Sequence, residues 1–238
     1  MKLIPPLFRL HKYFSVIVGI QLLFWVLSGL YMTAVPIEIV HGDHLRKEFS
    51  AETIQWSDEN AQLKIINTEI IKQPITSLKL FSRLGKPTYL IKTTKDTLLI
   101  DAISGQKLSL LSEDEAKNIA LSSYTGIANI LSINEITSYE MTPEIKGRAL
   151  PIWQVNFDDW INSSLYVSNI EAAVTTVRSD IWRTFDFFWM LHIMDYEDRS
   201  DFNNPLVIFM TSCALFLILT GAILLINGIN RSGRRYFR

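Results

Sequence analysis

Two uncharged apolar runs stand near the ends of the chain, at 13–35 (YFSVIVGIQLLFWVLSGLYMTAV) and 205–227 (PLVIFMTSCALFLILTGAILLIN). At ~1.5 Å rise per residue, either run as a helix crosses a ~30 Å hydrocarbon layer. Two transmembrane helices are therefore predicted at 13–35 and 205–227. Between them the periodicity shortens. In 57–111 a helix start is read at Ser57-Asp58-Glu59, where an oxygen-bearing cap precedes acids at the positive end of the dipole, and Pro74 ends the segment. Strand-like runs follow at 75–81, 88–93 and 97–101, with a turn at Ser104-Gly105. In 112–178, Ser112 with Glu115 forms a capping box, predicting a helix to about Ser123. Strand-like runs recur at 130–139, 152–157 and 164–168. Helix, strand, strand, strand thus occurs twice, which predicts a duplicated α+β unit. The aromatic stretch 181–196 is predicted as a helix at the membrane interface.

Charge orients this frame. The tails 1–12 and 228–238 carry Lys2, Arg9, Lys12, Arg231, Arg234, Arg235 and Arg238 and no acid, whereas all 24 Asp and Glu lie between the apolar runs. Basic flanks stay in the cytoplasm, so both termini are expected inside a bacterial inner membrane and the central domain in the periplasm. The net charge of −1, with an acidic middle, argues against a nucleic-acid partner. The first run is too long for a usual signal-peptide core, and no small-x-small cleavage pattern is evident near Ala34, so it reads as an uncleaved signal anchor. The single cysteine, Cys213, falls in the second run, so the central domain has no disulfide and no cysteine-based zinc site. There is no G-x-S-x-G, H-E-x-x-H, Walker loop or G-x-G-x-x-G, and no catalytic residue is assigned.

Gly85-Lys86-Pro87-Thr88-Tyr89-Leu90-Ile91 followed by Asp101-Ala102-Ile103-Ser104-Gly105 resembles the PepSY domain. The second copy keeps Pro151-Ile152-Trp153-Gln154-Val155 but carries Asn169-Ile170-Glu171 in place of the terminal pattern. Arg9-Leu10-His11, Gly19, Leu27-Ser28-Gly29-Leu30, Leu219-Thr220-Gly221 and the stretch Phe185 to Tyr196 resemble a small two-span branch of PepSY-associated membrane proteins. The resemblance implies an α+β fold: two transmembrane helices flanking a periplasmic tandem PepSY-like domain. It implies units at 57–111 and 112–178, with a juxtamembrane segment at 36–56. In larger relatives it also implies b-type haem held between helices for reducing iron in siderophores.

The candidate cofactor-binding residues are histidines. His41, His44 and His192 are expected on the outer side and His11 at the cytoplasmic mouth of the first span. Neutral imidazole ligates haem iron, and haem b needs no covalent motif. No C-x-x-C-H is present, which excludes c-type haem. By the resemblance, His192 with His44 is one candidate ligand pair, and His11 needs its counterpart from a second copy. The bland alternative is a polar turn at His44 and a polar contact of an aromatic helix at His192. Asp195, Glu197, Asp198 and Asp201 form an acidic cluster that reads as a solvated loop or a hard-cation site. Gln21, Ser28, Gly29, Ser212, Thr220 and Gly221 are read as helix-packing positions, within the chain or against a second copy. Two functions stand side by side. One is a component of envelope iron or siderophore reduction or of haem-linked electron transfer, as a homodimer or in a larger membrane complex. The other is a membrane-anchored, non-enzymatic module that binds a periplasmic protein or regulates a protease. The bilayer is a partner in both.

Overall fold

The computed structural model describes residues 4–47, 71 and 73–236. The elements in order are α1 (Ile4–Ala34), α2 (Ile37–His41), β1 (Ile75–Arg83), β2 (Lys86–Thr93), β3 (Thr97–Asp101), α3 (Glu113–Ser123), β4 (Ile130–Ile136), β5 (Ile152–Phe157), β6 (Ser164–Ser168), β7 (Ala173–Arg178), α4 (Asp180–Ile193) and α5 (Pro205–Tyr236). The predicted helix opening at Ser57 lies outside the described residues. The chain forms two units, one of residues 1–40 and 181–238, the other of 41–180.

The first unit is helical. Stretches Pro5–Ala34 and Pro205–Ile229 are long and apolar enough to cross a membrane, and only 11% and 22% of their most apolar windows are buried. A core helix of a water-soluble protein hides its apolar residues. Here Ile17, Val26, Leu30, Phe209, Ile218 and Leu225 all stand exposed, as a lipid-facing surface requires. α1 starts before the apolar run because Pro5 and Pro6 occupy its first turn, where the missing N–H groups cost nothing. α5 starts as the sequence predicts. The Asn204 side chain accepts from Val207 N at 3.0 Å, and Pro205 is the first helical residue. The Asn204 amide also donates to Ile193 O at 2.8 Å, tying the start of α5 to the end of α4. α1 and α5 pack through Val18, Cys213 and Leu217, bordered by Phe14, Leu22 and Met210, and Phe14 meets Phe216 edge-on at 5.7 Å. α4 lays its aromatic face on α1, with Tyr31 and Phe188 ring centres 4.4 Å apart.

The second unit is α+β with two antiparallel sheets, β1-β2-β3 and β4-β5-β6-β7. The Ser112–Glu115 capping box forms as predicted: Ser112 Oγ accepts from Glu115 N at 3.3 Å and Ser112 N donates to the Glu115 carboxylate at 2.8 Å. α3 then packs Ala116 and Ala120, both fully buried, toward β5, β6 and β7. Every residue of β6 is buried. On the other face, Ile145 joins Ile136, Ile152 and Tyr166 in a core cluster. Methyl-bearing helix positions on one side and an irregular cover on the other explain why β6 (SLYVS) shows no alternation of buried and open positions.

The sheets share a turn. After β3, Asp101 accepts from Ile103 N at 2.9 Å and Ser104 N at 2.7 Å, and Gly105 takes φ 73°. After β6, Ser168 Oγ accepts from Glu171 N at 3.1 Å, and Ala172 takes φ 53°. Ser168 and Ala172 thus stand in the second turn where Asp101 and Gly105 stand in the first. A side chain at this left-handed position is strained, and it removes the glycine signal that would announce β7. β7 went unpredicted for that reason. Its counterpart in the first sheet is only a bridge, Ile100 to Lys107.

Candidate functional site

His192 sits on the last turn of α4, half-buried against α1. Its Nδ1 lies 3.1 Å from Trp25 O and 3.2 Å from Ser28 Oγ. Ser28, itself fully buried, donates its hydroxyl hydrogen to Trp25 O at 2.9 Å. A carbonyl only accepts, so the imidazole must donate from Nδ1. That fixes the Nδ1–H tautomer and leaves the lone pair on Nε2. The ring stacks on the Trp25 indole with centres 5.3 Å apart and planes 21° from parallel. Gly29 makes room for it: a Cβ there would stand 3.0 Å from His192 Cε1 and 3.5 Å from Nδ1. Gly29→Val is therefore expected to push the ring off Trp25 O and Ser28, read as loss of slow exchange of the His192 Nδ1 proton by NMR.

His11, on α1, makes a similar contact with α5. Its Nδ1 lies 2.8 Å from Thr220 Oγ1. Where Thr220 directs its hydroxyl hydrogen to Phe216 O or Leu217 O, at 2.9 and 3.0 Å, its oxygen accepts from His11. In that arrangement Nδ1 carries the proton, as at His192. A Cβ on Gly221 would stand 3.2 Å from His11 Cε1. Each histidine is thus served by a hydroxyl residue followed by glycine on the opposite helix: Ser28-Gly29 on α1, Thr220-Gly221 on α5. The 17 residues of α1 from His11 to Ser28 separate the two levels by about 25 Å. Among the described residues neither Nε2 has a hydrogen-bond partner.

His41 and His44 belong to the other unit and their side chains are exposed. His44 contributes its carbonyl, which accepts from Thr125 Oγ1 at 2.6 Å. Among the described residues no three His, Cys, Asp or Glu side chains gather as a metal cluster. The acidic cluster is a folded loop. Asp195 accepts from Glu197 N, Asp198 N, Ser200 N and Asp201 N at 2.9–3.3 Å, and Arg199 pairs with Asp186. The carboxylate is already saturated by backbone donors, which hold its pKa down to about 2. Its unfolded value is about 3.9, so its contribution to loop order is full above pH ~4 and is lost as pH falls toward ~2. Hydrogen exchange of 194–204 is expected to accelerate across that window, and the step should vanish in Asp195→Asn.

A cavity of about 10 Å³ lined by Gln21, Leu22, Trp25, Met194, Met210, Thr211 and Ala214 adjoins the Trp25 side of the His192 site. It falls below the ~300–1,000 Å³ typical of enclosed ligand pockets. Sequence reading named Ser28, Gly29, Thr220 and Gly221 only as packing positions; their service to the histidines was missed. A signal was present, since a hydroxyl-glycine pair occurs once in each apolar run. The chain matches no family model, no curated protein and no solved structure.

Proposed function

We propose that this chain is a bacterial inner-membrane component of haem-linked electron transfer that serves iron or siderophore reduction in the envelope. The basic tails support cytoplasmic termini, and the shared turn of the two sheets supports the reading of the periplasmic domain as a tandem PepSY-like pair. One observation carries the functional part: two histidines in the helical unit, each held at Nδ1 by an oxygen acceptor, each with an unengaged Nε2.

That arrangement fits haem b. Metal-ligating imidazoles characteristically donate their second ring nitrogen to a carbonyl or other oxygen, which sets the tautomer and the ring angle. His192 and His11 would each supply one axial nitrogen. Haem would contribute a one-electron couple, which no side chain here provides. A second copy would supply the opposite wall. At the inner position His11 of that copy would be the other imidazole. At the outer position the second copy's His192 would be the other imidazole. Ser28 and Thr220 hold the Nδ1 side of each ring and so turn Nε2 outward.

The test uses the full chain purified from haem-replete cells. Reduced protein mixed with a ferric siderophore is expected to lose its reduced haem band at a rate that rises with siderophore concentration. A reduced band that persists in excess acceptor would contradict the reductase reading.

A further inference from the structure

The described residues of the 41–180 unit expose two large apolar side chains almost completely: Ile127 and Trp160, at 104% and 87% of full exposure. They sit on neighbouring loops joined in both directions, with Asp158 N donating to Asn129 O at 3.0 Å and Asn129 N to the Asp158 carboxylate at 2.6 Å.

The loops are built, not slack. Tyr124 stacks on Phe157 with ring centres 4.1 Å apart and donates its hydroxyl to Asp159 at 2.7 Å. Asp159 accepts from Ser163 N at 2.7 Å, closing the turn that carries Trp160. Gly126 passes so close over Tyr124 that a Cβ would fall 2.4 Å from its hydroxyl oxygen, and Ile127 follows directly. Stabilised loops that hold apolar side chains in the open mark a contact surface.

This is also the end of the unit from which the chain departs toward the apolar helices in both directions. Lys47 N donates to Ser123 O at 2.8 Å and Thr125 N to Leu45 O at 3.1 Å, next to Gly126 and Ile127. Asp180 N donates to Ile161 O at 2.8 Å, next to Trp160. His41 is six residues beyond Val35, where the first apolar run ends, a leash of at most about 20 Å even when fully extended.

We propose that Ile127 and Trp160 form a membrane-docking tip: the two side chains insert at the headgroup level of the outer leaflet and seat the domain on the lipid surface. Tryptophan favours that depth because its ring is amphipathic, and isoleucine adds apolar area. Asp158 and Asp159 at the same tip are bonded within their turns, so the attraction is apolar rather than a pull toward anionic lipid. A protein partner would cover the same surface, but the short tethers at this end favour lipid.

The test places an environment-sensitive fluorophore on single cysteines, Ile127→Cys, Trp160→Cys and Met141→Cys, each in full-length Cys213→Ala protein reconstituted into zwitterionic vesicles. Met141 is exposed, in the loop that follows the opposite end of β4. Labels at 127 and 160 are expected to emit to the blue of the label at 141 and to be quenched by headgroup-level nitroxide lipid but not by iodide. Water-like emission with iodide quenching at 127 and 160 would overturn the proposal. So would protection from both quenchers, because that pattern means a protein occupant. Neither outcome bears on the histidines, so the electron-transfer reading stands or falls separately.

Discussion

His192→Ala protein, purified in the same way as the native chain, is expected to lose roughly half of its haem absorbance, one of two sites having lost an axial nitrogen. His11→Ala should remove the other half, and the double variant should be colourless. The two losses add because the sites stand about 25 Å apart along α1 and share no side chain. Ser28→Ala is the sharper probe of the geometry. It removes one of the two acceptors at His192 Nδ1, at 3.2 Å, and leaves Trp25 O at 3.1 Å. Loss of such a supporting partner typically weakens metal retention 10–100-fold, and with one acceptor left an effect of about 10-fold is expected, measured by haem transfer to an apo-acceptor. Thr220→Val should act likewise at His11, where Thr220 Oγ1 is the acceptor at 2.8 Å, and more strongly because no second acceptor stands beside it among the described residues.

Arg83→Ala is expected to cost the 41–180 unit about 3 kcal/mol, a fall of roughly 10 °C in its unfolding temperature followed by near-ultraviolet circular dichroism. Arg83 is 8% exposed at the end of β1. Its guanidinium donates to Ile170 O at 3.1 Å and to Ser109 O and Asn169 O at 3.3 Å. It thereby ties the first sheet to the β6–β7 turn of the second. Burial pushes its pKa down, and the nearby Glu115 carboxylate opposes that. Truncation leaves carbonyls without their charged donor in a desolvated place, and this penalty exceeds the ordinary worth of a hydrogen bond. Arg83→Lys should recover only part of the loss, because a single ammonium cannot span three carbonyls set for a planar fork.

The elements that local chemistry specifies were legible. The Ser112 capping box, the Asn204-Pro205 start of α5 and strands β2, β3, β5 and β6 each announce themselves within a few residues. Where a local signal was altered, the reading slipped. Ala172 in place of glycine concealed β7. The strand predicted over 130–139 stops at Ile136 because a turn begins at Ser138, with Met141 N donating to Ser138 O at 3.2 Å. The helix predicted over 181–196 ends at Ile193, as Met194 takes φ 55°. The site was half legible. His11 and His192 stood out as candidate ligands, but their partners did not, because the contacts join residues 209 and 164 positions apart. Only the pairing of α1 with α5 and α4 brings Thr220 to His11 and Ser28 to His192. Arg83 was invisible for the same reason. Its three acceptors are backbone carbonyls, which have no sequence signature at all.

The central claim is that Nε2 of His11 and of His192 are haem ligands. The most direct measurement is a reduced-minus-oxidised absorption spectrum of the full-length chain, purified in mild detergent from cells grown with haem precursor, with haem quantified per polypeptide. The expected result is a sharp Soret and α band of low-spin, bis-imidazole haem b. A folded, full-length protein with no bound haem would contradict the account, and would leave His11 and His192 as helix-packing residues whose hydrogen bonds serve only to join α1 to α5 and α4.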